Sequence, residues 1–449
     1  MVSHAAPLTS AKLRDENRST MYAMAIYDAP LVDPLHFISK ETSKSTYLWL
    51  PPSPKRAWVG VGCLEKITAD STDRFQRQKQ QSASVFSKLT EPGFANLIPP
   101  RARFFGGFSF AEQTTNRASQ WSHFSNSEFV LPKWSYEIDS DHAFITVYYP
   151  STSEPETIRR RAFAHLAKIA SNHFEPSRDL LQLVEQADAA SEWSERITSI
   201  QKSIESGEVG KVVAARQTEL HGQRAIDVRN VLENLRQADP KSTIFSFPSG
   251  EGVFIGATPE TLVRKVNNQL YTEALAGTVN AESSNADNKL QNSDKDQDEH
   301  KFVRDYILSK IENLCVSLTV DPEPTLRRLK DVMHLCTAIS GELADDRHIL
   351  DLVEALHPTP AVAGMPVNVA QSMINQNEPF SRGWYSGPIG WFDRSGDGEF
   401  AVALRCGLIN GSKAHLFAGA GIVRESETTS EYEETRLKQQ PLLRALRQG

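Results

Sequence analysis

The chain has 449 residues, of which 39% are hydrophobic and 23% are charged. This composition is typical of a folded protein with a large core, in one or two domains, and does not indicate disorder. The formal net charge of −7 argues against general nucleic-acid binding, because contacts with phosphates need clustered Lys and Arg. A small anionic ligand is compatible with this charge, since local positive charge or a metal ion can bind it.

The sequence also argues against a membrane or secreted protein. No stretch stays apolar and uncharged for long enough to span a bilayer, and residues 1–20 lack the apolar run of a signal peptide. We therefore expect a cytoplasmic protein with no membrane partner.

The first part of the chain predicts short strands joined by polar linkers that contain Pro. The strand-like runs include WVGVGCL at 58–64, RFFGGFSF at 103–110 and HAFITVYY at 142–149. Near residue 186 the pattern changes to a helix, with Trp193, Ile197, Ile200 and Ile204 on one face and Gly207 as a stop signal.

The second part alternates strands and helices. A strand begins at Lys211, and runs between residues 242 and 275, separated by Gly, Pro and Asn, favour an antiparallel meander. From 289 to 315 the apolar spacing predicts one amphipathic helix with Phe302 and Val303 facing the core. After a further stretch rich in strands, we expect a helix that begins near Ser430 and ends at Pro441.

Two helical segments carry acidic pairs with the same spacing. Asp296 and Glu299 lie three residues apart, as do Glu431 and Glu434, and Lys438 lies one turn after Glu434. Four converging carboxylates would repel one another unless a cation lay between them, and Mg²⁺ prefers such oxygen ligands. The alternative is two solvated acidic helix starts, which the helix dipole also favours.

Lys211 and Glu260 are candidates for proton transfer. Small and apolar residues follow Lys211, so its ammonium is expected near a region of low dielectric, where desolvation favours the neutral amine that can act as a base. Glu260, in GATPE, follows a strand end that holds its side chain at the mouth of a sheet. The alternatives are a lysine at a strand edge whose head reaches water and an ordinary turn glutamate.

Three further features suit a carboxylated ligand. Arg405 is predicted within the apolar strand AVALRC, where a guanidinium needs an anion as partner. The segment GAGIV, with Gly419 and Gly421, offers backbone N–H groups that no side chain obstructs. His357, in LHPTPA, is either a pocket residue or a hydrogen-bonded loop histidine. Arg405 could equally pair with an internal acid, and the glycines could serve close backbone packing.

A series of segments carries a family resemblance. In order they are GKVVAAR, FIGATPETL, EALAGT, KDQDEH, LHPTPAVAG, WYSGPIGW, LRC, FAGAGIV and SEYEETRLK. In sequence and order they resemble the chorismate-utilising enzymes, which include isochorismate synthases, salicylate synthases, anthranilate synthase large subunits and aminodeoxychorismate synthases. The resemblance covers roughly residues 190–445, and RFFGGFSF together with the chain length resembles the menaquinone-pathway isochorismate synthases.

The resemblance implies an α/β fold in which two large antiparallel β-sheets pack as a sandwich with helices outside. We divide the chain into residues 1–185, the N-terminal part of the sandwich, and residues 186–449, the chorismate-binding catalytic region. The implied activity is the reversible, Mg²⁺-dependent conversion of chorismate to isochorismate.

The resemblance also assigns roles to residues. Lys211 is the implied general base that activates water for attack at ring C2, and Glu260 is the general acid that protonates the departing C4 hydroxyl. Glu299 and Glu434 are the implied Mg²⁺ ligands, with Asp296 and Glu431 acting through water. The implied substrate-binding residues are Ala276, Gly277, Thr278, His357, Thr359, Tyr385, Arg405, Gly419, Gly421 and Lys438, of which Arg405 and Tyr385 hold the enolpyruvyl carboxylate.

Water is the nucleophile that the resemblance favours. Ala276 stands where aminodeoxychorismate synthases carry a lysine nucleophile, and anthranilate synthases lack a lysine at the position of Lys211. We therefore expect no glutamine amidotransferase subunit, and either a monomer or a homodimer. A salicylate synthase, which would also eliminate pyruvate, a siderophore-pathway enzyme and a catalytically silent chorismate-binding partner protein remain alternatives. In KDQDEH, Gln297 and Asp298 depart from the Arg and His common in relatives.

Overall fold

A computed structural model describes residues 21–39, 42–53, 55–90, 102–112, 119–171, 181–184 and 189–447. The strands before residue 189 are β1 (Tyr22–Ala29), β2 (Thr46–Leu50), β3 (Arg56–Val61), β4 (Glu65–Thr68), β5 (Leu89–Thr90), β6 (Arg103–Phe108), β7 (Ser127–Leu131), β8 (Trp134–Asp139), β9 (His142–Pro150) and β10 (Leu181–Val184). The later strands are β11 (Lys211–Gly222), β12 (Thr243–Ser249), β13 (Gly252–Thr258), β14 (Thr261–Val266), β15 (Gln269–Asn280), β16 (Cys315–Val320), β17 (Thr325–Arg328), β18 (Val332–Leu343), β19 (Gly364–Met365), β20 (Pro388–Asp393), β21 (Gly398–Val402), β22 (Cys406–Asn410) and β23 (Lys413–Ile422).

The helices surround these strands. They are α1 (Arg74–Ser87), α2 (Pro155–Ala170), α3 (Ala189–Glu205), α4 (Val228–Ala238), α5 (Ala286–Gln291), α6 (Asp294–Ile311), α7 (Ile349–Leu356), α8 (Val367–Asn377) and α9 (Thr428–Arg447). Over the described ranges, each helix is too short or too polar to cross a membrane.

The strands form two large sheets. The first has the order β10-β11-β23-β22-β13-β12-β2-β3-β8-β9-β1-β5, with β19 also paired to β11. The second has the order β16-β18-β15-β14-β21-β20-β6-β7-β4, with β17 also paired to β18. The short pairing of β1 with β5 is parallel, whereas the long pairings of β11 with β23 and of β15 with β18 are antiparallel. The predicted α/β fold with two large antiparallel sheets is confirmed.

Both parts of the chain contribute strands to both sheets, since β2 lies in the first sheet and β6 in the second. The division that we predict between residues 185 and 186 falls outside the described residues and stays a prediction.

An aromatic core fills the space between the sheets. Trp49, Phe245 and Phe254 of the first sheet pack in one buried cluster with Phe105 and Trp391 of the second. The rings of Trp49 and Phe105 meet edge to face with centroids 5.8 Å apart. Because alternate residues of a strand face opposite sides, each sheet also presents an apolar outer face that helices must cover.

The helices cover those outer faces. On the first sheet, Leu232 of α4 and Leu446 of α9 join one buried cluster with Leu416 of β23. On the second sheet, Val353 of α7 joins another cluster with Val263 of β14. The order of layers is therefore helices, first sheet, aromatic core, second sheet, helices.

The chain crosses between the sheets at two points that matter for function. β13 belongs to the first sheet and β14 to the second, so residues 259–260 form one crossing, and residues 403–405 return the chain from β21 to β22. Each crossing is hydrogen-bonded to the strand that leads into the other: Val402 N of β21 donates to Glu260 O at 3.1 Å, and Ala257 N of β13 donates to Arg405 O at 3.2 Å. The predicted strands between 242 and 275 are confirmed, but a single meander is wrong, because periodicity does not reveal which sheet a strand joins.

Arg405 was expected within an apolar strand, and this expectation is wrong. The residue lies at the end of the return crossing, next to β22, with a left-handed φ of 49°. It is 9% exposed. Burial was foreseen correctly, since Arg405 sits between two apolar strands.

Two helix predictions also need correction. The single helix expected over 289–315 is interrupted, because Ser293 caps α6 by accepting a hydrogen bond from Asp296 N at 3.2 Å. Phe302 is 61% exposed while Val303 is buried, because neighbouring helical residues point about 100° apart and only Val303 points into the core here. Pro441 lies inside α9, which continues to Arg447.

Packing contacts of the last turn of α9 explain why the helix continues past Pro441. A proline inside a helix removes one backbone hydrogen bond. Leu442 and Leu446 are buried after Pro441, and Asn234 of α4 donates its Nδ2 to Ala445 O at 3.0 Å. Tertiary packing thus holds the final turn in place.

Candidate active site

A cavity lies where β11, β23, the two sheet crossings, α6 and α9 meet. All of the site residues predicted from the sequence except His357 and Thr359 line it. The predicted residues in the lining are Lys211, Glu260, Ala276, Gly277, Thr278, Tyr385, Arg405, Gly419, Gly421, Lys438, Asp296, Glu299, Glu431 and Glu434. Residues distant in the sequence therefore lie around one cavity, and both acidic pairs face this cavity rather than bulk solvent.

Lys211 opens β11 and reaches into the cavity. Its Nζ donates to Glu299 Oε1 of α6 at 2.7 Å, and its side chain is 11% exposed. Gly421 of β23 makes room for this contact, because a Cβ there would lie 2.6 Å from Lys211 Cε. Burial alone would raise the pKa of Glu299, but Lys211 lowers it below its ordinary value through its charge and the hydrogen bond. Glu299 is therefore ionised at neutral pH.

Glu260 has a different environment. It lies on the first sheet crossing and is 8% exposed, and its backbone N donates to Thr258 Oγ1 at 3.4 Å. Burial, followed by the negative charge of Glu273, raises the pKa of Glu260 to about 8. At neutral pH its carboxyl group therefore holds a proton that it can give away.

The acidic wall of the cavity comes from α6 and α9. Burial raises the pKa of Asp296, helped by Glu299, and burial likewise raises that of Glu431, helped by Glu434. Lys438 pairs with Glu434 at 2.6 Å. Within the described ranges, no three acidic, His or Cys side chains are already gathered as ligands for a metal ion. The wall is a concentration of buried negative charge that lysine ammonium groups partly neutralise.

Positive charge lies on the return crossing and on α9, next to the backbone of β23. Arg405 has no side-chain hydrogen bond or ion pair with another residue of the described ranges, so its guanidinium is available to an anion. The hydroxyl of Tyr385 lies against Gly419, where a Cβ would be 3.1 Å away. Lys438 Nζ donates to Gly419 O at 2.9 Å. The cavity thus combines an acidic wall with a cationic and hydroxyl-bearing one.

A third wall comes from the EALAGT segment of β15. Gly277 has a left-handed φ of 71°, and a Cβ there would lie 3.1 Å from Asp296 Cβ. Thr278 N donates to Asp296 Oδ1 at 3.3 Å. The glycine therefore lets the start of α6 approach the sheet closely enough for Asp296 to reach the cavity.

Comparison with known proteins identifies the family. A model of the chorismate binding enzyme family matches residues 7–447 of the chain. The chain belongs to the chorismate-binding enzyme family. Among curated members, it is 32% identical over 437 residues to the isochorismate synthase MenF of Bacillus subtilis, covering 92% of this chain and 91% of that protein. It is 31% identical over 434 residues to the salicylate biosynthesis isochorismate synthase of Pseudomonas aeruginosa, covering 94% and 89%.

Solved structures of chorismate-binding enzymes agree with the fold. The menaquinone-specific isochorismate synthase MenF from Escherichia coli matches with a TM-score of 0.76 and 27% identity, over 95% of each chain. Anthranilate synthase component I from Streptococcus pneumoniae matches with a TM-score of 0.71 over 88% of this chain and 93% of that chain. At 20% identity, the second likeness concerns the fold alone. The family that the sequence segments indicated is confirmed.

Two residues that the family resemblance suggested for substrate binding lie outside the cavity lining. His357 Nε2 donates to Phe110 O at 3.1 Å, and burial lowers the pKa of His357 to about 3. Thr359 is 3% exposed, and the same segment reaches the cavity through Ala361 and Val362 instead. His357 therefore has the position of the hydrogen-bonded loop histidine, and its predicted role stays untested.

Three polar residues of the lining in this chorismate-binding enzyme were not predicted from the sequence, namely Lys295, His334 and Ser386. His334 Nδ1 lies 3.1 Å from both Thr278 Oγ1 and Gly277 O, and burial lowers its pKa to about 3. Its only sequence signal is a histidine within an apolar strand. Finding it requires the pairing of β15 with β18, which places Thr278 opposite His334.

Proposed function

We propose that this chain is an isochorismate synthase that converts chorismate to isochorismate by adding water at ring C2 and losing the hydroxyl at C4. The observation that carries the proposal is that one cavity holds both Lys211 of β11 and Glu260, a buried glutamic acid that stays protonated at neutral pH. Relatives named isochorismate synthase, 31–32% identical over most of the chain, support it.

Lys211 and Glu260 each carry out one proton transfer in the proposed reaction. Lys211 takes a proton from the attacking water, and Glu260 donates its proton to the departing C4 hydroxyl. An acid or a base placed in this way is worth about 10²–10⁴ in rate. An ammonium cannot accept a proton, so before Lys211 acts as the base its ion pair with Glu299 must open and the ammonium must release its proton.

The acidic wall suits Mg²⁺. Its ligands would be Glu299 and Glu434, with Asp296 and Glu431 acting through water, and the bound ion would supply positive charge to the ring carboxylate. The donor set fits this ion, because Mg²⁺ prefers carboxylate oxygens and keeps several waters. The raised pKa values of Asp296 and Glu431 support the fit, since burial and then the neighbouring charges of Glu299 and Glu434 disfavour the ionised carboxylates, and a cation would stabilise them.

The remaining residues orient the substrate. Arg405 and Tyr385 hold the enolpyruvyl carboxylate, because a guanidinium that makes no side-chain hydrogen bond or ion pair with the described residues can bind it with two parallel hydrogen bonds. Gly419 and Gly421 keep this wall open, and Lys438 holds the carbonyl of Gly419. Burial in such a site strengthens each of these contacts.

The pathway that we propose is menaquinone synthesis in the cytoplasm, without an amidotransferase subunit. The support is the match to relatives named MenF in both Bacillus subtilis and Escherichia coli. The relative named for salicylate biosynthesis, at 31% identity, keeps a salicylate or siderophore pathway as the second candidate. Because Lys211 activates water, the site has no need of ammonia.

The test is incubation of the purified protein with chorismate, with and without Mg²⁺, followed by chromatographic separation of the products. We expect isochorismate only when Mg²⁺ is present, and its disappearance in Lys211→Ala. Lys413→Ala is the matched control, because Lys413 is exposed on β23 and pairs with Glu219 outside the cavity. Salicylate formed without a second enzyme would show pyruvate elimination, and unchanged chorismate would refute the proposal.

A further inference from the structure

The ion pair between Glu273 and Arg327 lies directly behind the proposed general acid. Glu273 is on β15 and Arg327 on β17, and both strands pair with β18. Arg327 Nη1 donates to Glu273 Oε1 at 2.6 Å, and Nη2 donates to Oε2 at 2.7 Å. Such a fork fixes two planar groups relative to each other far better than a single contact does.

The same ion pair holds the backbone on both sides of Glu260. Thr261 N donates to Glu273 Oε1 at 3.2 Å, and Arg327 Nη1 donates to Pro259 O at 3.4 Å. The residue before Glu260 is thus bound by the guanidinium and the residue after it by the carboxylate. No hydrogen bond from the Glu260 side chain is needed to fix where that side chain enters the cavity.

We infer that the Glu273–Arg327 pair is a positioning device for Glu260, which holds the sheet crossing so that the acid points at the departing hydroxyl. This inference rests on the proposed function. Neither residue lines the substrate cavity, so neither is a catalytic residue. Their effect passes through Pro259 and Thr261.

An ordinary surface ion pair does not account for this arrangement. The side chain of Glu273 is only 12% exposed, and it accepts a backbone hydrogen bond in addition to the fork. Arg327, 32% exposed, faces a second cavity of about 420 Å³, which Pro259, Thr261, Glu273 and Arg327 help to line. Exposed pairs contribute little to stability, whereas a pair bound to both neighbours of one acid restricts that acid.

The pair also acts on the charge of Glu260. Beyond burial, the groups that set its pKa are Glu273 of β15, which raises it, and Lys438 of α9, Lys211 of β11 and Arg327 of β17, which lower it. The two members of the pair therefore influence Glu260 in opposite directions. A role in folding alone predicts no such opposition.

The test measures kcat/KM as a function of pH in Glu273→Gln and Arg327→Ala. The quantity compared is the pH at which kcat/KM falls on the basic side, which is the basic limb of the profile. We expect Glu273→Gln to move this limb down and Arg327→Ala to move it up, each by about 1 pH unit. Arg327→Ala should also lower kcat about 10-fold or more, because small misplacements of a reacting group are costly. Arg327→Lys keeps the charge but loses the fork, so it should lower kcat while leaving the limb in place.

Arg328→Ala is the matched control. Arg328 is the next residue of β17, faces the same second cavity and donates to Ala281 O at 2.7 Å, away from the crossing. It should leave both the limb and kcat at wild-type values. Limbs that stay fixed, or that move in the same direction in Glu273→Gln and Arg327→Ala, would overturn the inference. If Arg327→Ala does not fold, Glu273→Gln should still move the limb down, and Arg327→Lys should lower kcat with the limb in place. A fixed limb in Glu273→Gln, or wild-type kcat in Arg327→Lys, would then overturn the inference.

The inference can fail separately from the proposed function. With ¹³C-labelled glutamate carboxyls and Glu260→Gln to assign the signal, NMR titration follows Glu260 without any turnover. If the product assay finds no isochorismate, opposite shifts of the Glu260 pKa in Glu273→Gln and Arg327→Ala still support the inferred role of the Glu273–Arg327 pair. Absent or parallel shifts overturn it.

Discussion

Glu260 shows how one side chain can be prepared for acid catalysis. Its ordinary pKa of 4.5 rises to about 8 mainly because burial disfavours the charged form. Lys211 and Lys438 act against this rise but do not cancel it. A carboxyl group in this state can donate a proton near neutral pH, where a solvated glutamate is already ionised.

The pH dependence of the reaction follows from this residue. The active form of Glu260 is protonated, so we expect turnover to fall as pH rises through about 8. Glu260→Gln cannot donate a proton and should lower kcat by about 10²–10⁴ while retaining chorismate binding. Steady-state kinetics across pH 6–10 with equilibrium binding checks this, and wild-type turnover in Glu260→Gln would contradict the assignment.

The same shift has a consequence for stability. Because folding raises the pKa of Glu260, the folded state gains stability from its proton at low pH and loses that gain as pH rises toward 8. Glu260→Gln removes this dependence and should stabilise the fold above pH 8 by about 1–3 kcal/mol. Denaturant unfolding of both proteins at pH 5 and pH 9 measures the difference. A variant that is equally or less stable at pH 9 would show that Glu260 is not desolvated.

At the scale of elements, β11 and β23 place Lys211 by close packing. Val213 pairs with Gly421 in the antiparallel register, and the missing side chain of Gly421 leaves the space that the Lys211 stem fills. Any side chain at that position would push the ammonium away from Glu299. The glycines of GAGIV therefore serve the shape of the cavity as well as access to backbone N–H groups.

This packing predicts the effect of Gly421→Ala. The new Cβ would lie 2.6 Å from Lys211 Cε and 3.7 Å from Glu299 Oε1, so we expect kcat to fall about 10-fold or more with little loss of stability. Gly210→Ala is the control. Gly210 precedes Lys211 in the sequence, and among the described residues a Cβ there would contact Met365 O alone, at 3.5 Å. Kinetics and thermal melts of both variants are the measurement. Equal activity in the two would mean that the position of Lys211 tolerates displacement.

The elements also show what the sequence can reveal. Spacing within one helix or strand predicted α3, the start of β11 and the acidic pairs, because those patterns repeat over a few residues. The sheet crossings at Glu260 and Arg405 and the pairing of Thr278 with His334 join residues far apart in the chain, so no local pattern contains them. The gathering of the site residues came from the family resemblance of ordered segments, and the Glu273–Arg327 pair needed the structure.

At the scale of the whole molecule, the acidic wall joins parts of the chain that are far apart. Glu299 lies on α6, which packs on β15 of the second sheet, while Glu434 lies on α9, which packs on the first sheet. The cavity is therefore lined by one helix from the outer face of each sheet. A cation that binds both carboxylates would tie the two layers together, and its binding free energy would add to that of folding.

The final prediction is that Mg²⁺ raises the melting temperature through this wall. At a concentration about 100 times its Kd, an ion that binds only the folded state stabilises it by about 2.7 kcal/mol. Glu434→Gln should remove most of this gain, since it takes a charge from the α9 side. Glu433→Gln is the matched control, because Glu433 is exposed and pairs with Arg436 on the outer face. Thermal unfolding with and without Mg²⁺ compares the three proteins, and an equal rise in all three would place the ion elsewhere on the molecule.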